Sequence, residues 1–168
     1  WRLMHSFEDK LLPEELDILN KLTNIPLNVG AMTVVTNLHR AAQKMKNKME
    51  KEVLSQYRLS WTAFQLLYNL WIWEKMDARQ LAESMGVTVA TVSSVTNTLE
   101  RKGLCGREIN KQDRRLVFLS LTEKGRKMIE ELYPKFNKGE TEIVAGLSEE
   151  EQEVLTRLLR RVIRNMTD

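Results

Sequence analysis

Between Asp77 and Leu121 the chain is punctuated so densely that few folds accommodate it. Asp77 followed by Gln80 makes a capping-box start for the run ARQLAESM, and Gly86 stops that run in the way left-handed glycines end helices. Thr88 can cap a second run that ends at Gly103, after Arg101 and Lys102. Two short β-prone runs, LCGREI and LVFLSL, then flank the polar segment NKQDRR, which reads as a hairpin with a charged loop. The second run is locally ambiguous. VTVATVSSVT is rich in β-branched residues and its opening alternates, as a strand does, whereas Val92, Val95 and Leu99 recur at helical spacing. Nothing local decides between the two.

Charge sharpens the picture. The whole chain has 26 Lys and Arg against 23 Asp and Glu, a net +3 too mild for a cationic coat. Residues 101–115 alone hold six basic side chains (Arg101, Lys102, Arg107, Lys111, Arg114, Arg115) against two acids, Glu108 and Asp113. The positive field is therefore local. Two short helices about a tight glycine turn, followed at once by a basic hairpin, form the layout of a winged helix-turn-helix. A helix about 10–12 Å across fits the DNA major groove, and a charged hairpin tip can reach the minor groove beside it.

The rest of the chain reads as helical. With 168 residues it sits near one domain, and 42% hydrophobic residues with few Gly (7) and Pro (3) exclude disorder. No apolar run approaches the roughly 20 residues of a membrane span. The opening WRLMHSFEDK has no h-region, so no signal peptide is expected, and the missing initiator Met suggests a trimmed start. Pro13 opens PEELDILNKL, with Leu16, Leu19 and Leu22 near helical spacing. Apolar positions from Ala31 to Val53 make a stripe of about six turns. Ser60 looks like the N-cap of WTAFQLLYNLWIW, and Thr122 that of a long helix running to Val144 that Pro134 can bend. Ser148 and Glu151 form a capping box before a last helix carrying Val154, Leu155, Leu158, Leu159, Val162, Ile163 and Met166. Its acids come first and its arginines last, as the helix dipole prefers. A small winged domain cannot cover this stripe together with the one on 34–53, which points to a two-fold dimer made by terminal helices.

The stretch DRRLVFLSLTEKG, Asp113 to Gly125, resembles the wing signature D-x-R-x5-L-T-x-x-G of MarR-type transcriptional regulators. Upstream, LSWTAFQLL at 59–67, LAESMGV at 81–87 and LERKGL at 99–104 fit the same pattern in order and spacing, as does GLSEEE at 146–151. The resemblance covers roughly residues 31–166 and makes 88–102 a recognition helix. The fold it implies is mainly α (α+β): a winged helix-turn-helix over 56–122, with helical parts at 1–55 and 123–168 forming the dimerisation domain.

The resemblance also implies roles. Arg115 matches the wing arginine that enters the minor groove, where a narrow groove concentrates negative potential, and Asp113 the carboxylate that orients it. Arg114 and Lys111 become phosphate partners. With Val92, Val95 and Leu99 facing the core, Ala90, Ser94, Asn97 and Arg101 project outward, with Thr88 and Thr91 near the helix start and Thr98 beside them. The family often has an arginine near mid-helix to read guanine, and here those slots hold Ser94 and Thr98. Asn97 remains to read adenine and the threonine methyls to touch thymine, so specificity is expected to be modest and to lean on DNA shape.

The partners implied are double-stranded DNA carrying a pseudo-palindromic operator, a second copy of the chain, and a small aromatic or anionic effector. The family holds such effectors between the dimer helices and the winged domain, so Trp61, Phe64, Tyr68 and Trp71 are pocket candidates, although crowded aromatics read first as ordinary core. Cys105 reads as a small buried hydrophobe, His39 as a packed or solvated side chain, and the basic run 40–51 as a solvated face. No metal and no cofactor are expected. With one cysteine a reducing, cytoplasmic setting is expected. No GxGxxG, P-loop, HExxH or GxSxG pattern occurs, which argues against an enzyme. The expected function is a prokaryotic, sequence-specific repressor released by an effector. The alternative is an effector-independent DNA-organising protein bound mainly through phosphates.

Overall fold

The computed structural model describes residues 11–23, 25–109 and 117–167. The chain divides into two compact units, residues 1–44 and 45–168.

In the first unit, α1 (Pro13–Lys21) has its proline in the first turn, where a missing N–H costs nothing. Glu15, not the leucine series, is the buried residue of α1; Leu16 is 48% exposed. Burial of that carboxylate is tolerated because its oxygens accept from Leu12 N at 2.7 Å and Asn37 Nδ2 at 2.6 Å. Those bonds, the backbone one foremost, hold its pKa below the usual carboxylate value, with Arg40 adding to them. α2 (Val29–Glu52) starts in this unit, and its Val34 and Val35 are exposed.

The second unit is built on a core in which Met49, Leu54, Leu66, Leu67, Leu70, Leu81, Val92, Leu99, Leu104, Ile129 and Leu132 are almost wholly buried. α2 ends at Glu52, and the chain tightens into a 3-10 turn, Leu54–Tyr57, closed by Arg58 in the left-handed region at φ 53°. α3 (Trp61–Trp73) follows, with Ser60 Oγ accepting from Ala63 N as its spacing suggests. Next come β1 (Lys75–Asp77), α4 (Ala78–Met85), α5 (Val89–Arg101), β2 (Cys105–Ile109), β3 (Val117–Leu121), α6 (Glu123–Ile143) and α7 (Glu149–Arg164). The ambiguous run 88–102 is thus helical, and α6 runs through Pro134.

The sheet is antiparallel with order β1-β3-β2. β1, a strand not expected from the sequence, pairs Met76 with Leu119, while β2 pairs Arg107 with the same Leu119. Residues Lys111, Asp113, Arg114 and Arg115 of the hairpin lie outside the described residues. α7 buries none of its residues within a single chain, and Leu158 and Ile163 stand 46% and 58% exposed.

Candidate nucleic-acid interface

Two caps fix the entry of the helix pair. Asp77 carboxylate oxygen accepts from Arg79 N at 2.8 Å and Gln80 N at 2.9 Å, and Gln80 Oε1 accepts in return from Asp77 N at 3.0 Å. Gly86 adopts φ +63°, a conformation L side chains rarely take, so α4 ends abruptly and α5 starts three residues on. Thr88 Oγ1 accepts from Thr91 N at 3.1 Å and lies 2.9 Å from the Thr91 hydroxyl.

The cap and the burial pattern explain why a β-branched run becomes a helix. Val92, Thr96 and Leu99 fall on one side and are fully buried, with Val95 half-buried beside them. The opposite side presents Thr88, Ala90, Ser94, Asn97, Thr98 and Arg101 to solvent, with Thr91 half-exposed. Ser93 joins this face. It is not among the outward residues expected from the sequence, though it stands three residues after Ala90 and four before Asn97, the spacing that lines one helix face.

The basic cluster is less uniform than its count suggests. Arg107 on β2 reaches back to α5: its Nη1 lies 2.9 Å from Glu100 Oε2 and its Nη2 donates to Asn97 Oδ1 at 2.9 Å. Lys102 Nζ donates to the Arg58 carbonyl at 2.7 Å, and Lys124 Nζ to the Lys102 carbonyl at 2.8 Å. Arg101 folds along its own helix, with Nε donating to Asn97 O and Nη2 to Thr98 Oγ1, both at 3.3 Å. Across the outer face of the sheet, Lys75 pairs with Glu108.

The junction from α5 through β3 to α6 is tightly built. Thr122 Oγ1 donates to Gly103 O at 2.6 Å and accepts from Gly125 N at 3.0 Å, while Leu104 O accepts from Thr122 N at 3.1 Å. Gly125 rests directly on the Leu104 carbonyl, where any side chain would collide. Cys105 is buried just beyond, its Sγ donating weakly to Thr96 O at 3.9 Å. Burial pushes its thiol pKa up to about 11, with Glu100 adding to the shift, so the nucleophilic thiolate is scarce at neutral pH.

The pocket candidates fall together in one aromatic cluster. Phe64 is buried and stacks on Phe136 with centroids 4.2 Å apart. Half-buried Tyr68 and Trp71 lie 5.5 and 5.3 Å from Tyr133 of α6, and Trp61 lies 6.0 Å from Phe136. Burial, then the hydrogen bond with Tyr68, pushes the Tyr133 pKa up to about 12. Among the described residues no group of three His, Cys, Asp or Glu side chains could hold a metal ion, and no helix is long and apolar enough to cross a membrane.

Residues 59–117 match the model of the MarR family. The uncharacterized HTH-type transcriptional regulator YwaE of Bacillus subtilis (strain 168) is 51% identical over 160 residues, which is 94% of this chain and 94% of that one. Among solved structures, the complex of Staphylococcus aureus MepR with DNA is similar with a TM-score of 0.71 and 27% identity, over 79% of this chain and 96% of that one. Bordetella bronchiseptica BpsR, whose DNA binding is regulated by 6-hydroxynicotinic acid, gives a TM-score of 0.71 at 25% identity, over 77% of this chain and 98% of its own. Family model, near-full-length relative and winged-helix architecture agree, and they are the marks of regulators rather than enzymes: the chain belongs to the MarR family of transcriptional regulators.

Proposed function

We propose that the chain works as a homodimeric repressor in the cytoplasm of a prokaryote, binding a pseudo-palindromic operator in duplex DNA and leaving it when a small aromatic or anionic effector binds. Residues 56–122 read DNA, and 1–55 with 123–168 supply the pairing arms. The observation that carries this reading is the exposed row of α5, with Thr88, Ala90, Ser94, Asn97 and Arg101 on the side opposite Val92, Thr96 and Leu99. A short capped helix with small polar side chains outward can enter a major groove about 12 Å wide without steric conflict. On the wing, Arg115, oriented by Asp113, then enters the adjacent minor groove, with Lys111 and Arg114 on the phosphates.

Pairing is supported by α7, which buries none of its residues and leaves Val154, Leu155, Leu158 and Ile163 exposed among the described residues, and by the exposed Val34 and Val35 of α2. Two-fold pairing sets two α5 helices against half-sites one DNA turn apart, about 34 Å. Regulated binding in BpsR supports an effector here, lodged beside the aromatic cluster that includes Trp61, Phe64, Tyr68 and Trp71. Such a ligand acts only through a difference in affinity between the DNA-fitting dimer and the alternative geometry.

Fluorescence anisotropy on a duplex from the chain's own promoter tests the binding mode. Arg115→Ala is expected to weaken binding about tenfold, the effect of losing about 1.4 kcal/mol. Lys111→Ala is expected to lower the salt slope by about one. Unchanged affinity in Arg115→Ala contradicts the wing assignment. A second reading, the effector-independent DNA-organising protein, is favoured by Ser94 and Thr98 standing where a guanine-reading arginine is common.

A further inference from the structure

Asparagine reads adenine by two bonds made together: Oδ1 accepts from the N6 amino group and Nδ2 donates to N7. In this molecule Oδ1 of Asn97 is already engaged. It accepts at 2.9 Å from Nη2 of Arg107, whose Nη1 is held at 2.9 Å by Glu100. Both acceptors lie on α5, three residues apart, and the rigid guanidinium fork on β2 spans them. A bond from a charged donor is roughly twice as strong as a neutral one. The amide cannot turn end for end, because Nδ2 would then meet a guanidinium that has only donors. Among the described residues no acceptor is bonded to Nδ2, and Asn97 is exposed on the row that faces outward.

We propose that Arg107 is a positioning residue that sets base specificity: by holding Oδ1 it makes Asn97 meet DNA as a donor through Nδ2. The position beneath Asn97 is then selected for an acceptor, such as purine N7, guanine O6 or thymine O4, and the adenine N6 amino group goes unread. Arg107 is withdrawn from phosphate binding in the same step, since its charge is balanced by Glu100. It ties the wing strand to the reading helix instead. This inference rests on the proposed placement of α5 in the major groove.

The test uses the full chain and competition anisotropy on its operator. Asn97→Ala first locates the base pair at which preference flattens. At that position duplexes carry adenine, 7-deazaadenine (no N7) or unsubstituted purine (no N6 amino group). For the native chain, loss of N7 is expected to weaken binding about tenfold, while loss of the amino group changes it less than twofold. In Arg107→Met, Oδ1 is released and loss of the amino group is expected to cost several-fold. Arg107→Lys, which can still donate to Oδ1, is expected to keep the native pattern, an outcome that a purely structural role for Arg107 does not produce. A native chain that loses affinity several-fold without the amino group overturns the proposal, for Oδ1 then reads the base through its second lone pair. An Asn97→Ala protein that keeps every preference also overturns it, while Arg115→Ala still weakening binding leaves the broader reading intact. If no duplex outcompetes random DNA, that broader reading fails and this proposal falls with it.

Discussion

Gly125→Ala isolates the contact that seats α6 on Leu104, between α5 and β2. A Cβ at this position would stand 1.9 Å from the Leu104 carbonyl oxygen and 2.9 Å from its carbon. Ordinary contact begins near 3.4 Å, so the two backbones must separate by about 1.5 Å. Neither can yield cheaply, because the same Leu104 oxygen accepts from Thr122 N and Thr122 Oγ1 bridges Gly103 O to Gly125 N. Overpacking of this kind costs about 3 kcal/mol, and losing the Leu104 bond about 1 more. Better helix propensity of alanine returns at most about 1. The net loss is about 3 kcal/mol, which for a chain of this size lowers Tm by about 6–12 °C. Thermal unfolding followed by circular dichroism measures it, at one fixed protein concentration because the proposed pairing would make Tm concentration-dependent. Gly106→Ala is the control: a Cβ there meets nothing within 4 Å and the backbone is not in the left-handed region, so it is expected to be near neutral. A Gly125→Ala protein melting within about 1 °C of the native chain would falsify the packing argument.

Four further outcomes are expected. Thr96 Oγ1 is buried with no hydrogen-bond partner among the described residues, so Thr96→Val, of similar shape, should be neutral or stabilising by up to about 1 kcal/mol in denaturant melts, and a clear loss contradicts this. Cys105 should react with iodoacetamide at pH 8 no faster than the chain unfolds, and fast labelling of folded protein contradicts its burial. Its raised pKa also sets a sign: the unfolded thiol ionises near 8.5 and the folded one near 11, so stability is fully present below the first value and falls as pH rises toward the second, a decline that Cys105→Ala should remove. Leu158→Glu places a charge on the uncovered face of α7 and should convert dimer to monomer in light scattering, whereas an unchanged mass rejects pairing through α7.

Legibility in the sequence followed the range of the forces involved. Caps are local, so Ser60, Asp77 with Gln80, Thr88, Thr122 and Ser148 with Glu151 were all readable from spacing and stand as expected. The β-branched run on α5 was not decidable locally, because what makes it helical is burial of Val92, Thr96 and Leu99 against distant segments. β1 was invisible for the same reason: three residues, Lys75–Asp77, are a strand only because β3 pairs with them. In α1 the leucines recur near helical spacing, yet Glu15 is the buried residue, its place fixed by Asn37 more than twenty positions away. At the candidate interface, the outward residues of α5 follow from helical period, with Ser93 the omission. Arg107 counted as one more wing cation, and only the structure gives its partners Asn97 and Glu100. Charge can be counted along a sequence, but not whether it is balanced.

The most direct test is a specificity ratio: affinity for the chain's own promoter duplex divided by affinity for random duplex of equal length, at one stated salt concentration. Base readout by α5 together with minor-groove contact from the wing predicts a ratio of at least about 10³, falling when the outward face of α5 is changed at Asn97. Affinities that stay nearly equal, and that drop in parallel as salt is raised, contradict specific regulation and leave a protein held by phosphates alone.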